Sequence, residues 1–365
     1  MKLSKDEQTR YSRQLLMEQV GPEGQLKLKK ASVLVVGLGG LGSPLALYLA
    51  AAGVGRLGLI DCDQVHVSNL HRQILYDSSE QGKNKTTAAK ERLHKLNPEI
   101  ILDEHSVKLT AQNALELFRP YDIIADGADN FATRFLVNDA AHFAKKPLIS
   151  ASVLGFEGQV SIFGGVGPCY RCLYPEPPPA GTVPSCAEAG VLGSMPGVMG
   201  SLQATEVLKK ILGIGECLEG SLLACDTLSM SFNKLKITKD PNCPLCGKQP
   251  RIQDLKEENF VCALDLQSPI RELLPSELEE WTKDKKFQLL DVREPFELES
   301  EKLAYTHHIP LGELSQRHGE LSIETPLVIY CRSGARSLKA AEFLRPLGFS
   351  VWNLKGGVLA ARSRS

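Results

Sequence analysis

The chain has 365 residues, enough for two or three domains, with 43% hydrophobic residues, 23% charged residues and a formal net charge of -1. That balance is ordinary for a globular protein and leaves no excess charge to draw the chain to nucleic acid or an anionic membrane. The N-terminal MKLSKDEQTR lacks the apolar core of a signal peptide, and the best apolar run, Leu45–Val54, is too short to span a bilayer. The expectation is a cytoplasmic protein with neither nucleic acid nor membrane as partner.

Ala31–Val36 (ASVLVV) is an apolar, β-branched run that leads into GLGGLG and then a helical stretch to Ala52. A second strand, Arg56–Ile60, ends in Asp61 and Asp63, and the Ala-, Lys- and Glu-rich segment Lys85–Leu96 reads as a helix. Strand–helix alternation continues to Ile149, which predicts an α/β domain with a mostly parallel sheet. Pro175–Gly200 is dense in proline and glycine and reads as a long mobile loop carrying Cys186. Residues 248–268 read as a linker, after which a second α/β pattern begins: strands Phe287–Val292 and Pro326–Tyr330 and helix Ser337–Leu344. The expected domains are residues 1–247 and 269–365.

Gly37, Gly39 and Gly42 satisfy G-x-G-x-x-G between a strand and a helix, where glycines permit a tight turn and close approach of phosphates to the helix N-terminus. Asp61 follows roughly 20 residues on, where a carboxylate can bind ribose. Alone, this fits NAD as well as ATP. Ser68–Gln73 (SNLHRQ), Lys85 and the cluster Asp126, Asp129 and Asn130 break the tie. Arginine and lysine neutralise a triphosphate and a carboxylate holds Mg²⁺, whereas hydride transfer requires neither.

Cys169/Cys172 and Cys243/Cys246 form two C-x-x-C pairs, the ligand pattern of a closed, structural tetrahedral Zn²⁺ site. Two unrelated redox pairs are the alternative. Cys62, Cys217, Cys225 and Cys262 read as small apolar residues. Strand Leu327–Tyr330 runs into Cys331-Arg-Ser-Gly-Ala-Arg336 and a helix. A cysteine there faces loop amides, the positive end of the helix and two arginines, all of which favour thiolate.

RYSRQ (Arg10–Gln14), GLGGLG, LIDCD, SNLHRQ, Lys85, DGADN and the two C-x-x-C pairs, in order over about Ser4–Gly247, resemble the ThiF/MoeB family, bacterial relatives of ubiquitin-activating enzymes. The resemblance implies a Rossmann-like fold, a homodimer and ATP-dependent adenylylation of the C-terminal glycine carboxylate of a ubiquitin-like sulfur carrier ending in Gly-Gly. By position it implies that Gly40 and Asp61 contact the nucleotide, that Asn69, Arg72, Gln73 and Lys85 line the phosphates, that Asp129 beside Asn130 binds Mg²⁺, and that Arg13 reaches the phosphates of a partner subunit. Cys186 takes the place of a cysteine that can link covalently to the activated carrier; a spectator thiol stays open as the other reading.

The Cys331–Arg336 loop, with Asp291-Val-Arg-Glu-Pro and Gly356-Gly357, resembles the rhodanese sulfurtransferases over about Ile270–Val358. This implies a persulfide on Cys331, formed with Arg336 in the loop and supplied by a cysteine desulfurase or thiosulfate. One departure is that VLAARSRS follows Gly-Gly where the family has a tryptophan, which leaves the packing of the C-terminus open. Together the modules imply formation of a thiocarboxylate for a molybdopterin, thiamin or thiolation pathway. Two rivals are an activator that conjugates the carrier to protein through a Cys186 thioester, and a NAD-binding scaffold joined to a separate sulfurtransferase.

Overall fold

A computed structural model describes residues 2–178, 190–256, 270–284, 287–298 and 307–362; Cys186, Cys262 and most of the expected linker lie outside them. The described residues divide into two compact units, one of residues 2–177 and 190–256 and the other of residues 270–362.

The first unit is built on an eight-stranded sheet ordered β3-β2-β1-β4-β5-β6-β7-β8. β1 (Ser32–Val36), β2 (Arg56–Ile60), β3 (Ile101–His105), β4 (Ile123–Asp126) and β5 (Leu148–Leu154) are parallel. Every residue of β1 is buried, as a central strand covered on both faces requires. β6 (Glu157–Phe163), β7 (Ser221–Asp226) and β8 (Ser231–Lys236) add an antiparallel extension at one edge. The sheet is therefore Rossmann-like where the glycine turn lies and antiparallel beyond β5.

The expected loop Pro175–Gly200 is corrected at its end, because Ser194–Leu212 is a 19-residue helix. Pro196 occupies its third position, where a missing N–H costs nothing. Gly200 lies so near Leu41 and Pro44 that a Cβ there would press on the Leu41 carbonyl. This brings the helix onto the helix Gly42–Ala52, whose Leu45, Ala46, Leu49 and Ala50 are fully buried. Each such leucine stabilises the fold by roughly 1.5–3 kcal/mol. Residues 251 and 252 also belong to this unit, their amides donating to the Pro244 carbonyl.

The second unit has a five-stranded parallel sheet ordered β11-β10-β12-β13-β9. Its strands are β9 (Arg271–Leu273), β10 (Gln288–Asp291), β11 (His307–His308), β12 (Leu327–Tyr330) and β13 (Val351–Leu354). Alternation along β12 sends Leu327, Ile329 and the following Cys331 to one face, against Ala340, Ala341 and Leu344 of the helix Ala335–Leu344. Val328 and Tyr330 go to the other, against Leu273, Leu278, Leu354 and Val358. Val358 is 1% exposed, so an aliphatic residue covers the core just after Gly-Gly where the family has tryptophan nearby.

Candidate functional site

The glycine turn is shaped by backbone contacts that leave no room for side chains. Gly37 has φ 84°, a left-handed conformation favouring glycine. A Cβ on Gly42 would overlap the Gly37 carbonyl oxygen, so the helix can start this close to β1 only with glycine there. Tyr76 Oη donates to the Leu38 carbonyl at 3.0 Å and steadies the turn from outside.

Asp61, just past β2, accepts from the Leu38 amide at 2.8 Å through Oδ2 and from the Asp63 amide at 2.8 Å through Oδ1. Burial pushes its carboxyl up, an effect opposed by Lys85 and these two amides. Lys85 opens the helix Lys85–Leu96, is 4% exposed and places Nζ 2.8 Å from Asp63 Oδ2. Arg72 donates to Asn69 Oδ1 at 3.1 Å across one turn. Gln73 is 4% exposed, lies 3.6 Å from the Cβ position of Gly39, and its Oε1 is buried with no hydrogen-bond partner. An orphaned buried acceptor beside a glycine turn is what a polar ligand would satisfy.

Asp126, Asp129 and Asn130 take separate places. Asp126 ends β4 but turns inward: it is fully buried, accepts from Ser150 Oγ and the Ala128 amide, and has Arg134 Nε at 3.6 Å. Burial raises its carboxyl against these contacts. Asn130 caps the helix Phe131–Phe143 by accepting from the Thr133 amide at 2.9 Å. Only Asp129 is left exposed at the sheet edge.

In the second unit Cys331 sits at the end of β12, 1% exposed. Its Sγ accepts from the Gly334 amide at 3.2 Å and lies 3.4 Å from Ser337 Oγ, one of three acceptors within reach of that hydroxyl. Burial opposes ionisation, but Ser337 and the loop amides outweigh it and hold the thiol below its ordinary value. Arg332 is exposed, while Arg336 donates from both terminal nitrogens to Glu297, each at 2.6 Å. Arg336 is therefore an ion-pair partner first, and the sulfur is surrounded by amides and a hydroxyl rather than by two free guanidinium groups. Glu297 in turn is held at about 2, chiefly by Arg336. The amides of Val358 and Leu359 donate to the carbonyls of Cys331 and Arg332 at 2.9 and 3.2 Å, an approach that a Cβ on Gly357 would block.

The four cysteines of the C-x-x-C pairs converge. Cys169 Sγ lies 3.9 Å from Cys172 Sγ and 3.5 Å from Cys243 Sγ, and Cys172 Sγ lies 3.4 Å from Cys246 Sγ. All four sulfurs fall within 4.8 Å of one another. A tetrahedral Zn–S distance of ~2.3 Å places its sulfurs ~3.8 Å apart, so the set fits a metal and is too long for disulfides. Burial and the other cysteines raise the Cys169 thiol, and burial pushes Cys246 to about 11. A bound ion would therefore displace protons here.

The ThiF family matches residues 11–245 and the rhodanese-like domain residues 274–363. The chain is 52% identical over 270 residues to a sulfur carrier protein adenylyltransferase of Thermus thermophilus, covering 72% of this chain and all of that protein. It is 42% identical over 379 residues to the adenylyltransferase and sulfurtransferase MOCS3 of Drosophila persimilis, covering 98% of this chain and 84% of that one. Among solved structures, E. coli MccB with ATP matches at TM-score 0.58 and 27% identity, over 65% of this chain and 74% of that chain. The chain belongs to the ThiF family. It carries a C-terminal rhodanese-like domain, and is by family an adenylyltransferase and a sulfurtransferase.

Within this ThiF fold the expected residues do not all meet. Gly37, Gly39, Gly40, Gly42, Asp61 and Gln73 border one turn, with Asn69–Arg72 and Lys85–Asp63 in contacting pairs beside it. Arg13 is exposed on the short helix Ser12–Leu15, with no ion pair among the described residues. Of the cysteines taken as apolar, Cys225 is buried but Cys62 is exposed. The sequence reading missed Ser337, Asn353 and Glu297, whose contacts order the Cys331 loop. Among the described residues no helix is long and apolar enough to cross a membrane.

Proposed function

We propose that the chain adenylylates the C-terminal glycine carboxylate of a ubiquitin-like sulfur carrier with Mg-ATP and then converts it to a thiocarboxylate with sulfur carried on Cys331. The observation that carries this reading is the coexistence, in one ThiF-family chain, of a glycine turn ringed by polar groups and a loop cysteine cradled by hydrogen-bond donors.

In this reading the Gly37–Gly42 turn receives the nucleotide, Asp61 the ribose, and Asn69, Arg72, Gln73 and Lys85 the phosphates. Arg13 serves the phosphates of a second protomer in a homodimer. Asp129, with Asn130 beside it, would hold Mg²⁺, which supplies charge neutralisation at the phosphates; Cys169, Cys172, Cys243 and Cys246 would hold a structural Zn²⁺. The carboxylate attacks the α-phosphorus and pyrophosphate leaves. The protein's share is positioning and charge balance.

Cys331 thiolate attacks the terminal sulfur of a persulfide donor, or the sulfane sulfur of thiosulfate, and the donor leaves as thiolate or sulfite. The Cys331 persulfide then attacks the acyl-adenylate carbonyl and AMP departs. The acyl disulfide left behind is cleaved by a thiol, Cys186 or an external one, giving the carrier thiocarboxylate and a disulfide that a second thiol reduces. The test is the intact mass of a Gly-Gly carrier after incubation with Mg-ATP and thiosulfate. Replacement of one oxygen by sulfur is expected, and it is lost in Cys331→Ala while pyrophosphate release persists. A carrier that is adenylylated yet never gains sulfur refutes the joined reaction, and one conjugated to lysine with Cys331→Ala supports the conjugation rival instead.

A further inference from the structure

Asn353 occupies a register position built for an apolar side chain. It lies on β13 opposite Ile329 of β12, and alternation turns it to the same face as Val351, Ile329 and Cys331, against the helix Ala335–Leu344. It is nonetheless polar and 3% exposed. A buried amide in a core position needs a partner, and here it is Ser337, itself fully buried on that helix, with Oγ donating to Asn353 Oδ1 at 2.7 Å.

Ser337 has one hydroxyl proton and three acceptors within reach: Asn353 Oδ1 at 2.7 Å, the Gly334 carbonyl at 3.1 Å and Cys331 Sγ at 3.4 Å. Only one can receive it at a time. We propose that Asn353 is a positioning residue for sulfur transfer, acting through Ser337 to aim the hydroxyl at Cys331 when the thiol ionises. With the thiol protonated, the Asn353 carbonyl takes the Ser337 proton. When Cys331 gives its proton to solvent, the amide turns so that Nδ2 donates to Ser337 Oγ, and the hydroxyl proton swings to Sγ. Because the amide can both accept and donate, it satisfies Ser337 in either state; no aliphatic side chain could.

Other charges near the sulfur come from neighbouring elements. Arg336 interacts with Cys331 but is paired with Glu297, and Arg332 is exposed. Asp291 at the end of β10 and Arg293 two residues on form a buried pair beside Tyr330. From β13, Asn353 is the polar group that reaches the helix face.

The inference rests on Cys331 being the sulfur-carrying residue, but its test does not need sulfur transfer. The full chain is alkylated with iodoacetamide from pH 5 to 10, and the rate at Cys331 is read by peptide mass spectrometry. Ser337→Ala should move the inflection up by about one pH unit, a roughly tenfold slower reaction below it. Asn353→Leu should move it up by a smaller amount and should add nothing in the Ser337→Ala background. Ser337→Thr, which keeps the hydroxyl, should restore the parent profile; if Ser337→Ala does not fold, this variant and Asn353→Leu still give the comparison. An unchanged inflection in Ser337→Ala, or an equal Asn353→Leu shift in both backgrounds, would overturn the proposal. A normal profile shift with no thiocarboxylate product would instead count against the proposed function alone.

Discussion

Replacing Glu297 by glutamine should weaken the second unit by an amount that vanishes in acid. Glu297 and Arg336 form a two-armed ion pair, with each terminal guanidinium nitrogen 2.6 Å from a carboxylate oxygen. The carboxyl falls from 4.5 to about 2, mainly through Arg336. At ~1.4 kcal/mol per pH unit this sets a ceiling of roughly 3 kcal/mol. The side chains of Arg336 and Glu297 are 34% and 16% exposed, respectively, so solvent screening lowers the expected effect to about 1–2 kcal/mol. The folded pKa is depressed, so the stabilisation is fully present above about pH 4.5 and is lost as pH falls toward about 2.

Both tryptophans of the chain, Trp281 and Trp352, lie in this unit with ring centroids 5.1 Å apart. Tryptophan fluorescence therefore reports urea unfolding of the second unit within the intact protein. Glu297→Gln should lower the midpoint at pH 7, and the difference should shrink below about pH 4.5 and close only toward pH 2. An equal midpoint at pH 7, or a difference that persists in acid, would refute the electrostatic account.

Three further outcomes follow from the first unit. Cys243→Ala should abolish tightly bound zinc measured by elemental analysis, and metal uptake by stripped protein should release protons, since burial raises Cys169 and Cys246 as free thiols. Gly42→Ala sets a methyl against the Gly37 carbonyl and should cost at least about 2 kcal/mol in thermal stability or eliminate nucleotide binding measured by calorimetry; neutrality would show that the turn can relax. Lys85→Met should reduce carrier-dependent pyrophosphate release by about a hundredfold or more while leaving Cys331 alkylation unchanged.

The parts of the fold legible in the sequence were those whose signals are local. ASVLVV followed by GLGGLG states strand, turn and helix in consecutive residues, and Lys85–Leu96 forms as read. The helix Ser194–Leu212 was hidden because Pro196, Gly197 and Gly200 look like breakers; proline is harmless in a first turn and Gly200 serves close packing on Leu41. Strand β8 of the antiparallel extension escaped because SFNKLK is mostly exposed and lacks a buried run. Asp126 illustrates the limit at the site: strand-end position was readable, but its inward turn toward Ser150 and Arg134 depends on elements distant in sequence. Likewise Asn353 stands 22 positions after Cys331, and only its polarity within the apolar VWNL hinted at a role.

The hydrogen bonds from Val358 and Leu359 to the Cys331 and Arg332 carbonyls also bear on the order in which the enzyme is made. The ribosome delivers the cysteine and its donors Gly334 and Ser337 before the residues that brace the loop, so a nascent or prematurely stopped chain holds the thiol without that brace. Such a chain already contains its whole glycine turn, while the loop that carries the thiol still lacks its last backbone supports. On the proposed function, loading of Cys331 with persulfide would wait until synthesis has passed the Gly-Gly brace.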